Sequence, residues 1–511
     1  MDIKSVIKSI CLNPRKFFLE NLGVRQTIFK NTFWLAVAEA VSRFLKLILI
    51  IYVARILGAT GYGKFNFALA FVALFAVFSD FGLSQITTRE LSRDNEREKE
   101  LSSLFSLKIL LGLGTLLLIL IGSFLITPEP VIRRLIWILG IYTVISSFGA
   151  IIFAFFQARQ KMEYQAMTKI LEAILVTAAG FFVIFYFPSV TNLSYSYLFA
   201  GLTALIFILI FFHFKVYKLH LDWQKSIWQR FLSMSWPLAL AGIFGGIYTQ
   251  TDSVVMGYLG QLTQTGWYQT AYKIIGVTLI PTGLISQSFF PALSLAFSQS
   301  KDYNPPTTSS HSPKGERAPR LQKIWNYFMD LMIILAIPIV VGGIVLGPRI
   351  IDFIYDPSYF PSILAFQILI LMAGTSFLCS PFGQILVVAN QQKKLLWITL
   401  SGAIVNVILN LILIPRYSLY GAAAATVATS VLILFLLFKF TANLTPIRPF
   451  NLKSLFSFFG AILASIPMYF LIIQPQIYHL NIFFSISIGA SIYLICFLGY
   501  KKLLVQFRIL R

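Results

Sequence analysis

The chain has 511 residues, of which 57% are hydrophobic and only 12% are charged, and its mean hydropathy is +0.79. Soluble globular chains usually carry about 25% charged residues, so this composition excludes an ordinary water-soluble domain. The formal net charge is +22, but no basic run is dense enough to form a nucleic-acid groove. Nucleic acid is therefore excluded as a partner, and the positive charge has to be interpreted relative to a membrane.

Apolar segments long enough to cross a bilayer recur along the whole chain. A spanning helix needs about 20 apolar residues, and backbone in lipid must satisfy its own hydrogen bonds, so these segments are predicted to be helices. The predicted spans, about fourteen in number, lie near 31–53, 65–88, 102–126, 132–156, 168–187, 193–214, 233–257, 266–296, 324–347, 362–389, 395–415, 419–438, 454–473 and 480–500. The fold class is therefore an all-α, polytopic membrane protein.

The basic residues predict the orientation of these spans. With the N-terminus inside, the cytoplasmic segments hold 32 of the 41 Lys and Arg residues, whereas the outside loops hold six. Cytoplasmic segments of membrane proteins are enriched in Lys and Arg. The chain is therefore predicted to lie in the cell membrane with both termini cytoplasmic, and an even number of spans is favoured.

A weak internal repeat predicts the domain organisation. One sequence offset relates Trp34 to Trp236, Leu57 to Leu259 and Gly58 to Gly260. Two six-helix lobes are therefore predicted, followed by two further helices. The predicted segments are a basic cytoplasmic segment 1–30, an N-lobe 31–214, a cytoplasmic linker 215–232, a C-lobe 233–441 that contains the loop 298–323, and the C-terminal helices with their tail, 442–511.

The first span carries three charged residues, Glu39, Arg43 and Lys46. Spacings of four and three residues place them on one face of a helix. A charge at the centre of a spanning helix costs roughly 2.5–3.5 kcal/mol and usually faces protein or a hydrated cavity. Glu39 and Arg43 could neutralise each other as a pair, but Lys46 would still lack a partner, so this face is predicted to line a hydrated cavity.

Other spans carry charged residues as well. Asp80 lies late in the second span, Asp252 lies near the outer end of the seventh, and Lys273 lies in the eighth. Asp252 and Lys273 are expected at a similar depth, as a structural ion pair or as a pair lining a cavity. Glu172 and Asp330 are predicted within two turns of the cytoplasmic ends of their spans, where carboxylates can reach the interface.

No motif in the sequence indicates catalysis. The chain contains no HExxH, no GxSxG, no P-loop and no complete GxGxxG, and its three cysteines are far apart. The sequence therefore predicts a protein that is not an enzyme and that needs no cofactor.

Short motifs then appear along most of the chain in a recognisable order. In the first half they are Asn31-Thr32-Phe33-Trp34, Ala54-Arg55-Ile56-Leu57-Gly58, Tyr62-Gly63, Asp80-Phe81-Gly82-Leu83 and Thr88-Arg89-Glu90. In the second half they are Asp252-Ser253 with Gly257, Tyr268 with Ala271-Tyr272-Lys273, Pro291-Ala292-Leu293-Ser294, Asn406, Asn410, Leu413-Ile414-Pro415 and Gly421-Ala422-Ala423. The chain resembles the polysaccharide biosynthesis family of Wzx-type exporters. That family belongs to the superfamily of multidrug antiporters (MATE), oligosaccharide flippases and lipid II flippases.

The resemblance implies a flippase for polyprenyl-diphosphate-linked oligosaccharides, such as O-antigen repeat units, with two MATE-like lobes around a central cavity. It implies that Arg43, Lys46 and Lys273 contact the diphosphate. Polar residues available for the sugar are Tyr248, Thr249, Gln250, Gln269 and Tyr272. Glu39, Asp80 and Asp252 are candidates for coupling transport to H⁺ or Na⁺. A polysaccharide polymerase and glycosyltransferases are the implied protein partners.

Three alternatives remain at the level of sequence. A lipid II flippase has the same helix count. A multidrug cation antiporter usually has twelve spans and a cavity rich in carboxylates, whereas the charged residues here are mainly basic. A membrane polymerase or ligase would be expected to carry a large outer loop with catalytic residues, and the longest outer loop here is only about a dozen residues, near 348–361.

Overall fold

The structure is a computed structural model that describes residues 16, 20–301, 319–445, 447–449, 452–478 and 480–506. Most of the predicted N-terminal segment, the middle of the loop 298–323 and the end of the chain lie outside these residues. Within the described part the regular elements are helices, and 12 of them are long and apolar enough to cross a membrane. The predicted fold class is thereby confirmed.

The chain divides into two compact units, Met1–Tyr258 and Leu259–Arg511. The helices of unit 1 are α1 (Val24–Asp80), α2 (Leu83–Arg93), α3 (Leu101–Ile126), α4 (Pro130–Ala158), α5 (Met162–Tyr186), α6 (Val190–Lys215) and α7 (Lys225–Tyr258). A 3₁₀ helix, Asn95–Glu100, joins α2 to α3. Buried apolar residues of α2, α3, α4, α6 and α7 form one core cluster, which includes Leu83, Leu104, Phe155, Phe156, Phe212 and Phe231.

Unit 2 contains α8 (Leu262–Thr278), α9 (Ile280–Lys301), α10 (Pro319–Ile354), α11 (Pro361–Val388), α12 (Gln392–Leu444), α13 (Leu452–Ile473), α14 (Pro475–Tyr478) and α15 (Ile482–Gln506). A short 3₁₀ helix, Pro357–Tyr359, joins α10 to α11. The core cluster of this unit draws on α9 to α13 and α15, with Trp325, Phe328, Phe377, Phe382, Met468 and Phe497 among its members. The two helices predicted at the C-terminal end therefore pack within unit 2.

Two of the helices are too long for a single crossing. α1 has 57 residues, which at about 1.5 Å per residue would extend about 85 Å, whereas a whole bilayer is about 40–45 Å thick. Its backbone is non-helical at Gly58 (φ 65°, ψ 173°), and the 53-residue α12 is non-helical at Ser418 (φ 53°, ψ −131°). Each is therefore interrupted by a one-residue break, and the count of fourteen spans stays a prediction.

The sequence repeat has a backbone counterpart. Gly58 and its repeat partner Gly260 both have positive φ, at 65° and 74°. The ends of α4 and α11 are capped alike, with Gln160 and Asn390 in the left-handed region at φ 55° and 58°. The Lys161 backbone N–H donates to the Phe156 carbonyl, and the Gln391 N–H donates to the Leu386 carbonyl, both at 2.8 Å. Each hydrogen bond joins a residue to the carbonyl five positions earlier and so caps the end of its helix. Gly58 and Gly260 thus share a positive φ, and the ends of α4 and α11 share one cap geometry.

The predicted linker 215–232 is packed against α3. The Trp228 indole N–H donates to the Ser103 carbonyl at 2.9 Å, and the Asp222 backbone N–H donates to the Ser106 hydroxyl at 2.9 Å. Phe231 is fully buried in the core cluster of unit 1. These contacts explain why α7, which the sequence places first in the C-lobe, belongs to unit 1 by packing. The division into two six-helix lobes stays a prediction.

Candidate functional site

The charged face of α1 exists as the sequence spacing predicts. The Arg43 Nε lies 2.6 Å from the Glu39 Oε1, and both side chains are more than half exposed. Lys46, one turn further along, is half-buried and has no ion pair or hydrogen bond within the described part of the chain. Arg43 is therefore already neutralised by Glu39, whereas the charge of Lys46 is uncompensated there.

A neighbouring face of α1 packs on α5. The Ser42 hydroxyl donates to the Lys169 carbonyl at 3.4 Å, and Leu49 is fully buried against Gly180. This packing fixes the rotation of α1 about its axis. Glu39 and Arg43 consequently remain on a more exposed side, where an anionic group can reach them.

Asp80 forms a buried ion pair that the sequence analysis missed. The Lys108 Nζ lies 2.5 Å from the Asp80 Oδ1, and the Ser84 hydroxyl donates to the same oxygen. The Lys108 side chain is fully buried, whereas that of Asp80 is 30% exposed. Lys108 lies seven residues into α3, within the predicted span near 102–126. Its position inside an apolar segment is the signal that could have revealed it.

The pair lies at a break between α1 and α2. Phe81 and Gly82 both have positive φ, at 51° and 75°. A side chain at Gly82 would lie 2.8 Å from the Leu238 Cβ and 3.1 Å from the Ser235 carbonyl of α7. Only glycine fits this close approach, so the Asp80-Phe81-Gly82-Leu83 motif positions Asp80 by bending the chain against α7.

The polar stretch near the end of α7 is only partly exposed. Asp252 is 3% exposed, and Gln250 is half-buried and donates to the Thr249 hydroxyl at 3.4 Å. Tyr248 is half-buried on the same helix. Asp252 belongs to unit 1 and Lys273 to unit 2, and their pairing stays a prediction.

In unit 2 the predicted residues cluster on α8. The Tyr272 ring stacks on that of Tyr268 with 5.8 Å between centroids, and the Tyr268 hydroxyl lies 3.3 Å from the Thr426 hydroxyl. Gln269 is buried on the same helix. Lys273 is half-buried, and no ion pair or hydrogen bond to it occurs among the residues that the structure describes. Lys46 and Lys273 thus share one property. Each is a cation on an apolar helix, and neither forms an ion pair or hydrogen bond among the described residues.

Glu172 lies in the middle of α5. α5 begins at Met162 and not near 168, so Glu172 lies ten residues along a 25-residue helix. The Tyr142 hydroxyl of α4 donates to its Oε1 at 2.7 Å. α5 therefore extends further toward its N-terminus than the apolar window indicated, and the position of Glu172 relative to the cytoplasmic interface stays a prediction.

The fold of the chain matches solved transporter structures. The lipid II flippase MurJ in an inward closed conformation aligns with a TM-score of 0.72 at 17% identity, covering 93% of this chain and 99% of that one. An inward-facing multidrug resistance MATE family transporter aligns with a TM-score of 0.63 at 13% identity, covering 79% and 95%. The chain is therefore a multi-pass membrane protein with the fold of the MOP superfamily, to which the MATE transporter belongs.

The family is shown by sequence. The model of the family described as polysaccharide biosynthesis protein matches residues 28–297, just over half of the chain. The chain belongs to this family.

Two curated relatives match more than three quarters of the chain. The probable low-salt glycan biosynthesis flippase Agl15 of Haloferax volcanii is 22% identical over 407 residues, which are 78% of this chain and 80% of the relative. The capsular polysaccharide biosynthesis protein CapF of Staphylococcus aureus is 21% identical over 405 residues, which are 77% and 94%. Family and fold together define a transporter-type protein and not an enzyme.

Proposed function

We propose that the chain is a flippase that moves a polyprenyl-diphosphate-linked oligosaccharide from the cytoplasmic to the outer leaflet of the cell membrane by alternating access. Family membership and the named flippase relative support the general activity. The substrate class is supported chiefly by Lys46. This residue is a half-buried cation in a membrane helix, and it forms no ion pair in the described part of the chain. An unpaired charge at such a position is costly, so its presence favours an anionic ligand.

Each basic residue has a stated role in the proposal. Lys46 attracts the diphosphate as a point charge, because a cation acts strongly on an anion where the dielectric constant is low. Arg43 can exchange its carboxylate partner Glu39 for a phosphate, which accepts the same forked hydrogen bonds from a guanidinium. Lys273 plays the same part in unit 2. A multidrug antiporter would be expected to use carboxylates for cationic drugs instead.

The sugar needs hydrogen-bonding groups beside these charges. The available side chains are Tyr248, Thr249, Gln250, Gln269 and Tyr272. Their hydroxyl and amide groups suit a neutral, hydroxyl-rich head group, and we propose that they contact it. In this function both termini are cytoplasmic, and a glycosyltransferase supplies the loaded lipid while a polymerase uses the product.

The test is transport in reconstituted vesicles. Wild-type protein should move a fluorescent polyprenyl-diphosphate-linked sugar across the bilayer, and faster than the same sugar on a monophosphate. Each of Arg43→Ala, Lys46→Ala and Lys273→Ala should lower the rate at least about tenfold, as expected for the loss of one charged contact. Lys393→Ala, which removes an exposed lysine at the start of α12, is the matched control and should leave the rate unchanged.

Two results would contradict the proposal. Full transport by all three variants would exclude the diphosphate contacts. Export of cationic drugs by the wild type, without movement of the lipid-linked sugar, would assign the chain to multidrug transport. Restoration of surface polysaccharide in a bacterial strain that lacks its O-antigen flippase would support the same activity in cells.

A further inference from the structure

Three exposed lysines near helix ends of unit 2 share one structural pattern. Lys323 lies four residues after the start of α10, and Lys394 lies two residues after the start of α12. Lys439 lies five residues before the end of α12. All three residues are exposed, and none forms an ion pair or hydrogen bond with another described residue.

An exposed aromatic ring accompanies each lysine, about one turn further toward the middle of the helix. The lysine–aromatic pairs are Lys323 with Tyr327, Lys394 with Trp397, and Lys439 with Phe435. The three rings are 60%, 61% and 59% exposed, in the same order. Spacings of three and four residues place each lysine and its ring on one helix face. Aromatic rings are enriched where helices meet the membrane–water interface, and a lysine stem can carry its ammonium group past them toward water.

Packing brings the three pairs to the same end of the helices of unit 2. The Lys394 Nζ lies 5.8 Å from the centroid of the Phe440 ring, so the start and the end of α12 are close together. The Trp325 ring of α10 packs edge-on against Phe382 of α11 at 5.2 Å, and Phe382 packs against Phe438 of α12 at 6.2 Å. This is the end that the basic residues predict to be cytoplasmic.

Acidic residues do not compensate this end as they do in unit 1. Asp356 is the last acidic residue of the chain, and ten Lys and Arg residues follow it. On α10, Asp330 lies seven residues further along than Lys323. In unit 1, by contrast, Arg159 forms an ion pair with Glu98. The lysine–aromatic pairs therefore present uncompensated positive charge beside exposed rings.

We propose that the three lysine–aromatic pairs form a binding surface for the headgroups of anionic phospholipids, an inference that does not depend on the proposed transport function. Basic residues clustered at the ends of membrane helices attract anionic headgroups. Each ammonium group donates a charge-assisted hydrogen bond to a lipid phosphate, while the neighbouring ring contacts the upper part of the lipid chain. The regular placement of the rings toward the middle of the helices favours lipid over a water-soluble acidic protein.

Trp397 reports on lipid binding directly, because it belongs to one of the pairs. The protein is reconstituted in phosphatidylcholine vesicles that contain either brominated phosphatidylglycerol or brominated phosphatidylcholine, since bromine quenches a tryptophan that the lipid contacts. The difference in fluorescence between the wild type and Trp397→Phe isolates the quenching at this position. The anionic lipid should quench at a mole fraction at least about fivefold lower than the neutral lipid, the effect of about one lysine at the membrane surface.

Charge substitutions separate these pairs from the net charge of the protein. The test variant replaces Lys323, Lys394 and Lys439 with Gln, and it should lower the preference for the anionic lipid to less than about twofold. Arginine at the same three positions keeps the charge and should retain the preference. The matched control carries Gln at three exposed lysines of unit 1, Lys99, Lys161 and Lys225, and should also retain it. Salt at about 1 M, where the Debye length is about 3 Å, should weaken the wild-type preference.

Two outcomes would overturn the proposal. Equal quenching of Trp397 by both lipids would exclude a headgroup surface and leave these lysines to another partner, such as an acidic protein. An equal loss of preference in the test variant and the unit 1 control would show that net charge, and not the lysine–aromatic pairs, attracts the lipid. Neither measurement involves transport, so failure of the flippase function would leave this result unaffected.

Discussion

Units 1 and 2 satisfy the polar side chains inside their helices in different ways. Unit 1 uses charge: Lys108 pairs with Asp80, Arg43 with Glu39, and the fully buried Lys30 with Glu163 at 3.0 Å. Two contacts between helical side chains of unit 2 join neutral groups instead. The Asn410 amide donates to Asn406 at 2.9 Å, and the Thr375 hydroxyl donates to Ser430 at 2.8 Å.

This difference separates two tasks. Ion pairs respond to protons and to anionic ligands, since either can replace one partner. Contacts between hydroxyls and amides do not change over the ordinary range of pH, and they hold helices together regardless of charge. The ion pairs of unit 1 can therefore respond to a proton or an anion. The neutral polar contacts described in unit 2 hold their helices together regardless of charge.

The largest expected effect is the loss of the Lys108–Asp80 pair. Lys108→Met should lower the free energy of unfolding by about 3 kcal/mol, the low end of the range for breaking a buried pair, because Asp80 is partly exposed. Thermal or denaturant unfolding in detergent measures it. The double variant Lys108→Met, Asp80→Asn should recover most of the loss, since no uncompensated charge remains. A double variant as unstable as the single one would show that packing, and not charge, governs this position.

A smaller effect is expected at two tightly packed glycines, one in each unit. A Cβ at Gly421 would overlap the Leu413 carbonyl oxygen, whereas a Cβ at Gly257 would overlap the Phe67 ring. Backbone relaxes less easily than a ring, so Gly421→Ala should destabilise more than Gly257→Ala, within about 1–3 kcal/mol each. Unfolding of the two variants in parallel tests the order. The alanine variant of Gly114, where the space is open, is the control.

The smallest effect is expected for a neutral pair. Thr375→Val in unit 2 keeps the side-chain shape and removes the hydrogen bond to Ser430, and interhelical bonds of this kind in membranes contribute about 0.6 kcal/mol on average. Unfolding at two pH values should give the same small loss. A loss as large as that of Lys108→Met would contradict the contrast between the units.

The helices were predictable because apolar length alone determines them in lipid. The positions of Arg43 and Glu39 followed from helical spacing, and the structure pairs them. The partner of Asp80 was not predictable in this way, because it depends on the packing of α3 against α1 and not on local sequence. The start of α5 was predicted six residues too late, near 168, since hydropathy windows miss the polar first turns of a helix that begins at Met162.

The breaks at Gly58 and Ser418 interrupt each long helix at a single residue. A protease needs several residues of extended, accessible chain, and an inserted tag needs a loop that tolerates it. Neither break supplies such a segment. Limited digestion should therefore leave both long helices uncut at these breaks, and inserted epitope tags belong at other connections.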